Sequence, residues 1–425
     1  MAAKKWTKKE KELLKKWAPK STKKEVLIDL FPDRSWNSIE RMINRMSLEK
    51  GWLKVSVDPE RDIEEEIERQ KTQDTRKAYK EVVASKAFEE RIFKAIVEAI
   101  TAFPELKTVP KIKVPSGSPT EEAAVLLISD AHVGEVVRSD EMCGLSEYNF
   151  ETFTIYLQFL VDTVIDIIDN KLRKGFNIQD LHIHALGDMV SGTIHEEFLD
   201  TNDANQFHSA FGGAFVFGQA LTEFSPYFRD IFVKCIGGNH GRFTKDRRFK
   251  TKWNNWDFVF YQVLSLLLRN QKNIHFEIPY SSFIMTDVMG HTHFLSHGDN
   301  VRSYYGIPMY GIKRMASNFT EILAARGEYL EFINIAHFHE KNTMSRLGGE
   351  LIINGGWKGG DEYSVGKMHT VSEPKQVMYG IHPRTGKTWE FDINFRMAKE
   401  AVDEVRYTYD QRAHFPLQVK ERFDG

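Results

Sequence analysis

Five short apolar runs each end abruptly in Asp, Asn or His, and this feature constrains the fold most. The runs are AAVLLISD, LHIHALGD, DIFVKCIGGNH, THFLSHGD and FINIAHFH. Amphipathic helical patterns follow the first run (TFTIYLQFLVDTVIDIIDNKLRK) and the third (WNNWDFVFYQVLSLLLRN). Strands that alternate with helices predict an α/β fold, in which polar residues at the carboxyl ends of strands assemble one shared site.

The residues at these strand ends form a set of oxygen and imidazole groups without cysteine. Such a set suits divalent ions such as Mn, Fe, Zn, Ni or Mg better than it suits a thiolate zinc site. It is larger than one ion needs, so we predict a two-metal site, whose ions together activate water and neutralise a phosphate. The candidate residues are Asp130, His132, Asp188, Asn239, His240, His297, His337 and His339.

In their order, the motifs SDAHVG, LGDMVSG, GGNHGR, LSHGDN and AHFHE, followed by IINGGW, resemble the calcineurin-like metallophosphoesterase superfamily. The resemblance covers roughly residues 123–395 and implies an α/β/β/α sandwich of two sheets with a dinuclear metal site. We expect Mn as the metal, with Fe, Zn, Ni and Mg as alternatives.

The resemblance also assigns roles to the candidate residues. The first ion would be held by Asp130, His132 and His339. The second ion would be held by Asn239, His297 and His337, and Asp188 would bridge the two. His240 would contact the phosphate and assist the leaving oxygen instead of binding an ion.

Three positions depart from the family pattern. Gly241 stands where an acidic residue that could orient His240 is frequent. Ala336 replaces a glycine of the last motif, which is a minor change. Asp299 stands where a further histidine is common, and it is expected to alter the surroundings of the second ion.

Other histidines compete for these roles. His291 and His293, in MGHTHF, spell the last motif more faithfully, but FIMTDVMGHTHFLSHG is typical of a β-hairpin turning at 287–290, so we expect both to be sheet residues. His182 and His184 lie inside a predicted strand and are interpreted as structural. His195, seven residues beyond Asp188, is a candidate substrate contact.

Residues 242–252, which begin two positions after His240, contain six basic residues and one acidic residue. Lys and Arg contacts to a phosphate backbone give affinity without sequence readout, so this stretch favours a polyanionic substrate. A solvated loop is the alternative. For the helical pattern of Trp253, Trp256 and Phe260, core packing is favoured over a base-stacking platform. The candidate substrate contacts in the basic stretch are Arg242, Lys245, Arg247 and Arg248.

Residues 1–55 contain 15 Lys+Arg against 7 Asp+Glu, a net charge of +8 in a chain whose total is -2. Capping boxes at Thr7 and Thr22, and Ser35 as a further cap, predict three helices. KKWTKKEKELL and RSWNSIERMINRMSL resemble a Myb/SANT-type helix-turn-helix domain, which implies DNA binding. Docking on a protein partner is the alternative. The predicted DNA contacts on the third helix are Asn37, Arg41, Asn44 and Arg45.

Between the two predicted domains, residues 56–103 are interpreted as a long helix, either a spacer or a homodimerisation helix. Residues 104–122 are predicted to be a flexible linker, 123–395 the metallophosphoesterase domain and 396–425 a tail. The chain has 2 cysteines, no apolar signal-peptide core and no run long enough to span a bilayer, so we expect a cytoplasmic protein without a membrane partner.

Together these features predict a metal-dependent phosphodiesterase of nucleic acid, most simply a DNA nuclease. A phosphomonoesterase or small-nucleotide phosphodiesterase, whose basic N-terminal domain docks a protein partner, is the alternative enzyme. A non-catalytic DNA-binding or assembly factor that has kept the site is a third class of hypothesis.

Overall fold

The computed structural model describes residues 5–21, 23–50, 120–192, 206–244, 252–302 and 308–409, with isolated positions between 70 and 109. The chain forms two units, Met1–Phe93 and Lys94–Gly425. The predicted long helix and linker lie almost entirely outside the described residues. No helix among the described residues has both the length and the apolar character needed to cross a membrane.

Three helices form the first unit: α1 (Lys8–Trp17), α2 (Lys24–Leu30) and α3 (Trp36–Arg45). The predicted capping box at the start of α1 is confirmed, because the Glu10 carboxylate accepts from the Thr7 N–H at 2.7 Å and Thr7 Oγ1 accepts from the Glu10 N–H at 3.2 Å. The helices share one small core, formed by Leu14, Ala18, Leu27, Phe31, Ile39 and Ile43.

The other predicted caps differ from the structure, and two large apolar side chains of this unit are exposed. Thr22 lies outside the described residues, and α2 begins after Lys23 without a side-chain cap. Ser35 is the N-cap of α3, but only its backbone carbonyl bonds to the helix, at 3.1 Å from the Ile39 N–H. Trp17 and Val26 are exposed because so small a unit buries only a narrow stripe of each helix.

Two sheets form the second unit, as predicted. The first has the strand order β11-β10-β1-β2-β3-β4, in which β1 to β4 run parallel and β10 pairs antiparallel with both β1 and β11. Its strands are β1 (Glu121–Ile128), β2 (Asn177–Ala185), β3 (Ile231–Cys235), β4 (Ile274–Glu277), β10 (Lys375–His382) and β11 (Gly386–Asn394).

The second sheet has the order β5-β6-β7-β9-β8, in which β6, β7 and β9 run parallel. Its strands are β5 (Phe283–Val288), β6 (His291–Ser296), β7 (Phe332–Ile335), β8 (Asn342–Arg346) and β9 (Gly349–Ile353). The core between the sheets joins apolar residues of β1 and β10 to residues of β5, β6, β7 and β9, including Val125, Tyr379, Ile284, Leu295, Phe332 and Ile352.

Helices cover the outer faces of both sheets, which confirms the predicted α/β/β/α sandwich. The helices are α4 (Phe150–Ile165), α5 (Gln206–Phe224), α6 (Trp256–Leu267), α7 (Pro308–Ala324) and the short α8 (Ala398–Ala401). Ile312 and Leu323 of α7 pack in one cluster with Phe294 and Ile333 of the second sheet. Phe217 of α5 packs edge-on against Phe260 of α6, at a ring-centroid distance of 5.5 Å.

The predicted hairpin of β5 and β6 is confirmed, and Asp287 Oδ1 accepts from the Gly290 N–H at 2.9 Å in its turn. His293 is buried within β6 and stacks on Phe332 at 4.7 Å. His184 is buried within β2, where its Nδ1 accepts from the Asn334 side-chain amide at 2.9 Å. These histidines are sheet residues, as predicted.

The described end of the chain packs on helices. Arg406 forms ion pairs with Asp162 of α4 and, at 3.0 Å, with Glu223 of α5. The Tyr407 hydroxyl donates to the same Glu223 carboxylate at 2.5 Å. Residues 402–409, which belong to the predicted tail, therefore lie against the sandwich.

Candidate metal centre

The candidate ligands lie in the loops that follow β1, β2, β3, β6 and β7. Within each sheet these strands are parallel, so their carboxyl ends meet at one edge, as Asp, Asn and His at strand ends predict. Backbone hydrogen bonds join the loops: the Asp130 N–H donates to Gly187 O at 3.0 Å and the His132 N–H donates to Asp188 O at 3.0 Å.

A first cluster contains Asp130, His132 and His339, whose ligand atoms lie close enough to share one ion. The Nε2 atoms of His132 and His339 are 3.2 Å apart, and His339 Nε2 is 3.5 Å from Asp130 Oδ1. Two imidazole nitrogens that bind one ion at about 2.1 Å and at right angles lie about 3.0 Å apart. The separation therefore fits a shared cation.

A second cluster contains Asp188, His297 and His337. His297 Nε2 lies 2.9 Å from Asp188 Oδ2 and 3.1 Å from Asn239 Oδ1. The other ring nitrogen of His297 lies 2.7 Å from the Leu186 carbonyl and donates to it, so Nε2 is the nitrogen that faces Asp188 and Asn239. The four side chains predicted for the second ion and its bridge thus come together.

His240 lies beside both clusters. Its backbone N–H donates to Asp188 Oδ1 at 2.7 Å, and its ring stands edge-on to the His132 ring, 4.6 Å away. With His132 and Asp188 it forms a third group that could hold an ion. The ring is half-buried, so part of it remains accessible from outside the clusters. Its catalytic role, like the ligand roles, stays a prediction.

Five of the candidate ligands have a left-handed backbone, which is uncommon for residues other than glycine. Residues held in this region cost about 1–3 kcal/mol each and cluster at functional sites. The strain is therefore an independent sign that the loops are built around the positions of these side chains. The residues and their φ angles are Asp130 (53°), His132 (45°), Asp188 (52°), His337 (76°) and His339 (56°).

The pKa shifts of His337, His339 and Asp130 fit a divalent cation at the site. Burial is the main cause that lowers the pKa values of His337 and His339 to about 3, so both rings are neutral at pH 7 with a lone pair to donate. Burial raises the pKa of Asp130 to about 7. Within the described residues its Oδ1 accepts no hydrogen bond. A cation would satisfy that buried oxygen and keep the carboxylate ionised.

Asp257 organises the site, although the sequence reasoning did not identify it. Its buried carboxylate accepts from the backbone N–H groups of Asp188 (2.9 Å), Met189 (2.9 Å), Val190 (3.1 Å) and Gly238 (2.7 Å). One side chain at the start of α6 therefore holds the loops after β2 and β3 in place. The Asn-x-Asp pattern before an apolar helix signals an N-cap, but it does not signal this reach across the fold.

A buried ion pair supports the first cluster and was also missed. The Lys358 ammonium pairs with the Glu135 carboxylate and, at 2.5 Å, with Asp361. The second oxygen of Glu135 accepts from Ser191 Oγ at 3.1 Å and lies 3.5 Å from His132 Nδ1. Carboxylates behind metal-binding histidines orient the ring and raise its basicity.

The departures at Gly241 and Asp299 have structural reasons. Gly241 leaves room for Asn255, because a Cβ at position 241 would overlap the Asn255 side-chain oxygen. The Asn255 side-chain amide also donates to Gly238 O at 2.8 Å. Asp299 is nearly buried, and its carboxylate pairs with Lys252 Nζ at 2.5 Å. Lys252, the last residue of the basic stretch, is thus attached to the site through Asp299, which lies two residues after His297.

The remaining predicted contacts are only partly described. Arg242 is half-buried and forms a β-bridge with Asn255. Lys245, Arg247, Arg248 and His195 lie outside the described residues. The predicted DNA-contacting residues of α3 are all exposed: Asn37, Arg41, Asn44 and Arg45.

No family model matches the chain, and no curated protein matches it. Among solved structures, Vacuolar Protein Sorting 29 from Cryptosporidium parvum is 11% identical and covers 64% of this chain and 98% of its own, with a TM-score of 0.28. A novel archaeal phosphodiesterase is 11% identical over 63% of this chain and 99% of its own, at 0.28. A predicted phosphoesterase from Streptococcus pneumoniae TIGR4 is 11% identical over 64% and 98%, at 0.25. These low TM-scores give the similarities no weight for function.

Proposed function

We propose that the chain is a calcineurin-like metallophosphoesterase that hydrolyses phosphodiester bonds of nucleic acid, most simply as a DNA nuclease. The observation that carries the proposal is the pair of clusters at the carboxyl edge of the two sheets, one containing Asp130 and the other Asp188. Both consist of carboxylate and imidazole donors, which suit divalent cations active in phosphate chemistry.

In this proposal, Asp130, His132 and His339 hold one ion, and Asn239, His297 and His337 hold the other. Asp188 serves both, since its carboxylate takes part in the second cluster and in the group with His132 and His240. Two divalent ions bound there would activate water as the nucleophile and neutralise charge on the phosphate. Mn is the proposed metal.

His240 is proposed to act on the phosphate and the leaving oxygen. The hydrogen bond from its backbone N–H to Asp188 fixes the loop, and its half-buried ring remains at the rim of the site. A ring in this position can donate a proton or a hydrogen bond to the leaving oxygen of the diester.

The polyanionic substrate is inferred from charge. Residues 242–252 start beside His240, and Lys252 at their end pairs with Asp299 at 2.5 Å, next to the second cluster. In the first unit, exposed Arg41 and Arg45 of α3 present a second basic surface. The phosphates on both sides of the scissile bond would contact basic residues of 242–252, and a DNA duplex would contact the basic surface of α3.

The proposal is tested with one panel of substrates, each incubated with the full chain and Mn²⁺. The panel consists of linear DNA, closed circular DNA, RNA, a chromogenic phosphodiester and a chromogenic phosphomonoester. We expect cleavage of DNA and the diester, and cleavage of the circle would establish endonuclease action. Hydrolysis of the monoester alone would overturn the nuclease proposal and support the phosphomonoesterase.

Two variants separate chemistry from metal binding in that panel. Asp188→Ala should lose turnover together with bound metal, whereas the exposed Asp140→Asn serves as the matched carboxylate control. His240→Ala should lower the rate by a factor of about 100 or more with a smaller change in metal content. Full activity of His240→Ala on every substrate would refute the role assigned to His240.

A further inference from the structure

Three aromatic side chains form a surface cluster next to the basic stretch. Tyr280, in the loop after β4, is 72% exposed although it carries a large ring. Its ring stacks on Phe258 of α6 at 5.6 Å and 29°, and it meets Trp253 at 5.1 Å and 76°. Trp253 in turn packs on Phe258 at 6.0 Å, and both are half-buried. We call Trp253, Phe258 and Tyr280 the aromatic platform.

The sequence favoured core packing for Trp253, Trp256 and Phe260, and the structure confirms it for two of the three. Trp256 and Phe260 are buried, as that interpretation requires. Trp253 instead lies at the surface with Tyr280, a residue from another loop. An exposed tyrosine supported from behind by two further rings presents an apolar surface that a flat ligand can cover.

The platform lies close to the candidate metal centre along the chain and in space. Trp253 is two residues from Asn255, which bonds to the loop after β3 through Gly238 O at 2.8 Å. On its other side is Lys252, whose Nζ pairs with Asp299 at 2.5 Å. Through Asn255 and Lys252, its neighbours in the chain, the platform is therefore joined to the loops that carry Asn239 and His297.

We propose that the aromatic platform binds an unpaired base of the polynucleotide substrate by stacking, next to the phosphodiester that is cleaved. Every base has a π-face, so stacking tolerates any sequence, and it is combined with positive charge in proteins that bind single strands. The inference rests on the proposed function and deepens it, since it predicts a preference for single-stranded or unpaired segments at the site.

The test measures binding of a short oligothymidine with phosphorothioate linkages, which resist hydrolysis, and of the same backbone with abasic positions. Wild type should bind the base-bearing oligonucleotide more tightly. Removal of one stacking ring by Tyr280→Ala or Trp253→Ala should weaken that binding about 5- to 150-fold and reduce the preference for bases over the abasic backbone. Tyr280→Phe keeps a ring and should keep the preference.

Tyr329→Ala is the matched control, because Tyr329 is 55% exposed and precedes β7, at the end of the strand opposite to His337. It should leave both affinities unchanged. The proposal is overturned if Tyr280→Ala binds both oligonucleotides as wild type does. That outcome leaves the nucleic-acid proposal intact. If wild type hydrolyses the chromogenic diester but binds no oligonucleotide, both the nucleic-acid proposal and the platform are refuted, so the experiment distinguishes the two failures.

Discussion

The carboxylate of Asp257 accepts a hydrogen bond from the backbone N–H of Asp188, 69 positions earlier in the chain, at a distance of 2.9 Å. Its two oxygens accept from four backbone N–H groups in total, in the loops after β2 and β3. These two loops carry Asp188 and Asn239, which are candidate metal ligands. Asp257 is therefore a positioning residue, which acts on the site through the backbone.

Asp257→Asn should destabilise the fold and weaken metal binding together. The amide has one acceptor oxygen, so two buried N–H groups lose their partner, at a cost of about 1–3 kcal/mol each in the free energy of unfolding. Denaturant unfolding and metal analysis measure the two effects. Asp287→Asn, at an exposed turn, should change both by little. Normal metal content in Asp257→Asn would contradict the positioning role.

Removal of Lys358 alone from the buried Glu135–Lys358 pair should be more damaging than removal of both partners. Lys358→Met leaves the buried Glu135 carboxylate without its cation, which costs about 3–5 kcal/mol, whereas Glu135→Gln leaves Lys358 paired with Asp361. Glu135→Gln combined with Lys358→Met should cost less than the sum of the two single changes. The exposed pair of Glu147 and Lys399, at 2.6 Å, should couple by less than about 1 kcal/mol in the same double-mutant cycle. Additive effects at the buried pair would contradict this account.

Acid should destabilise the sandwich partly through His293. Burial lowers its pKa to about 3, against about 6.5 in an unfolded chain. The folded state then binds the proton less readily, so the contribution of His293 is fully present above pH 6.5 and is lost as pH falls toward 3. His293→Phe should flatten the dependence of unfolding free energy on pH by up to about 1.4 kcal/mol per pH unit.

The exposed His369→Asn variant is the control for that measurement, and its slope should match that of wild type. An unchanged slope in His293→Phe would contradict the prediction for this residue, because it would mean that His293 has the same pKa in the folded and unfolded chain. The buried His184, whose pKa is also lowered mainly by burial, should account for part of the slope that remains.

The first unit should contribute phosphate contacts. Arg41→Ala with Arg45→Ala should weaken DNA binding and reduce the slope of log K against log salt by about 2, if each Arg neutralises one phosphate. Lys11→Ala with Lys15→Ala on α1 removes the same charge from another helix and should have a smaller effect. Equal effects of the two double variants would favour general attraction over a helix-turn-helix interface.

The strand ends and the candidate ligands could be predicted because each polar residue follows its apolar run directly. The hairpin that contains His291 could be recognised from the alternation of its residues and from the turn signal between its strands. Asp257 and Glu135 could not be identified, since their partners lie far along the chain: Asp257 bonds to the loop after β2, and Glu135 pairs with Lys358 across 223 positions. Tyr280 meets Trp253 only in the folded chain, so the sequence predicted a packed helix around Trp253 and could not reveal the aromatic platform.

The most direct test of the two-metal proposal is a titration of metal-stripped protein with Mn²⁺ while hydrolysis of a DNA phosphodiester is followed. We expect no hydrolysis before Mn²⁺ is added, and a rate that rises until two ions are bound per chain, because both clusters around Asp130 and Asp188 must be filled. Hydrolysis that survives removal of the metal, or a rate that reaches its maximum with one ion per chain, would contradict the account.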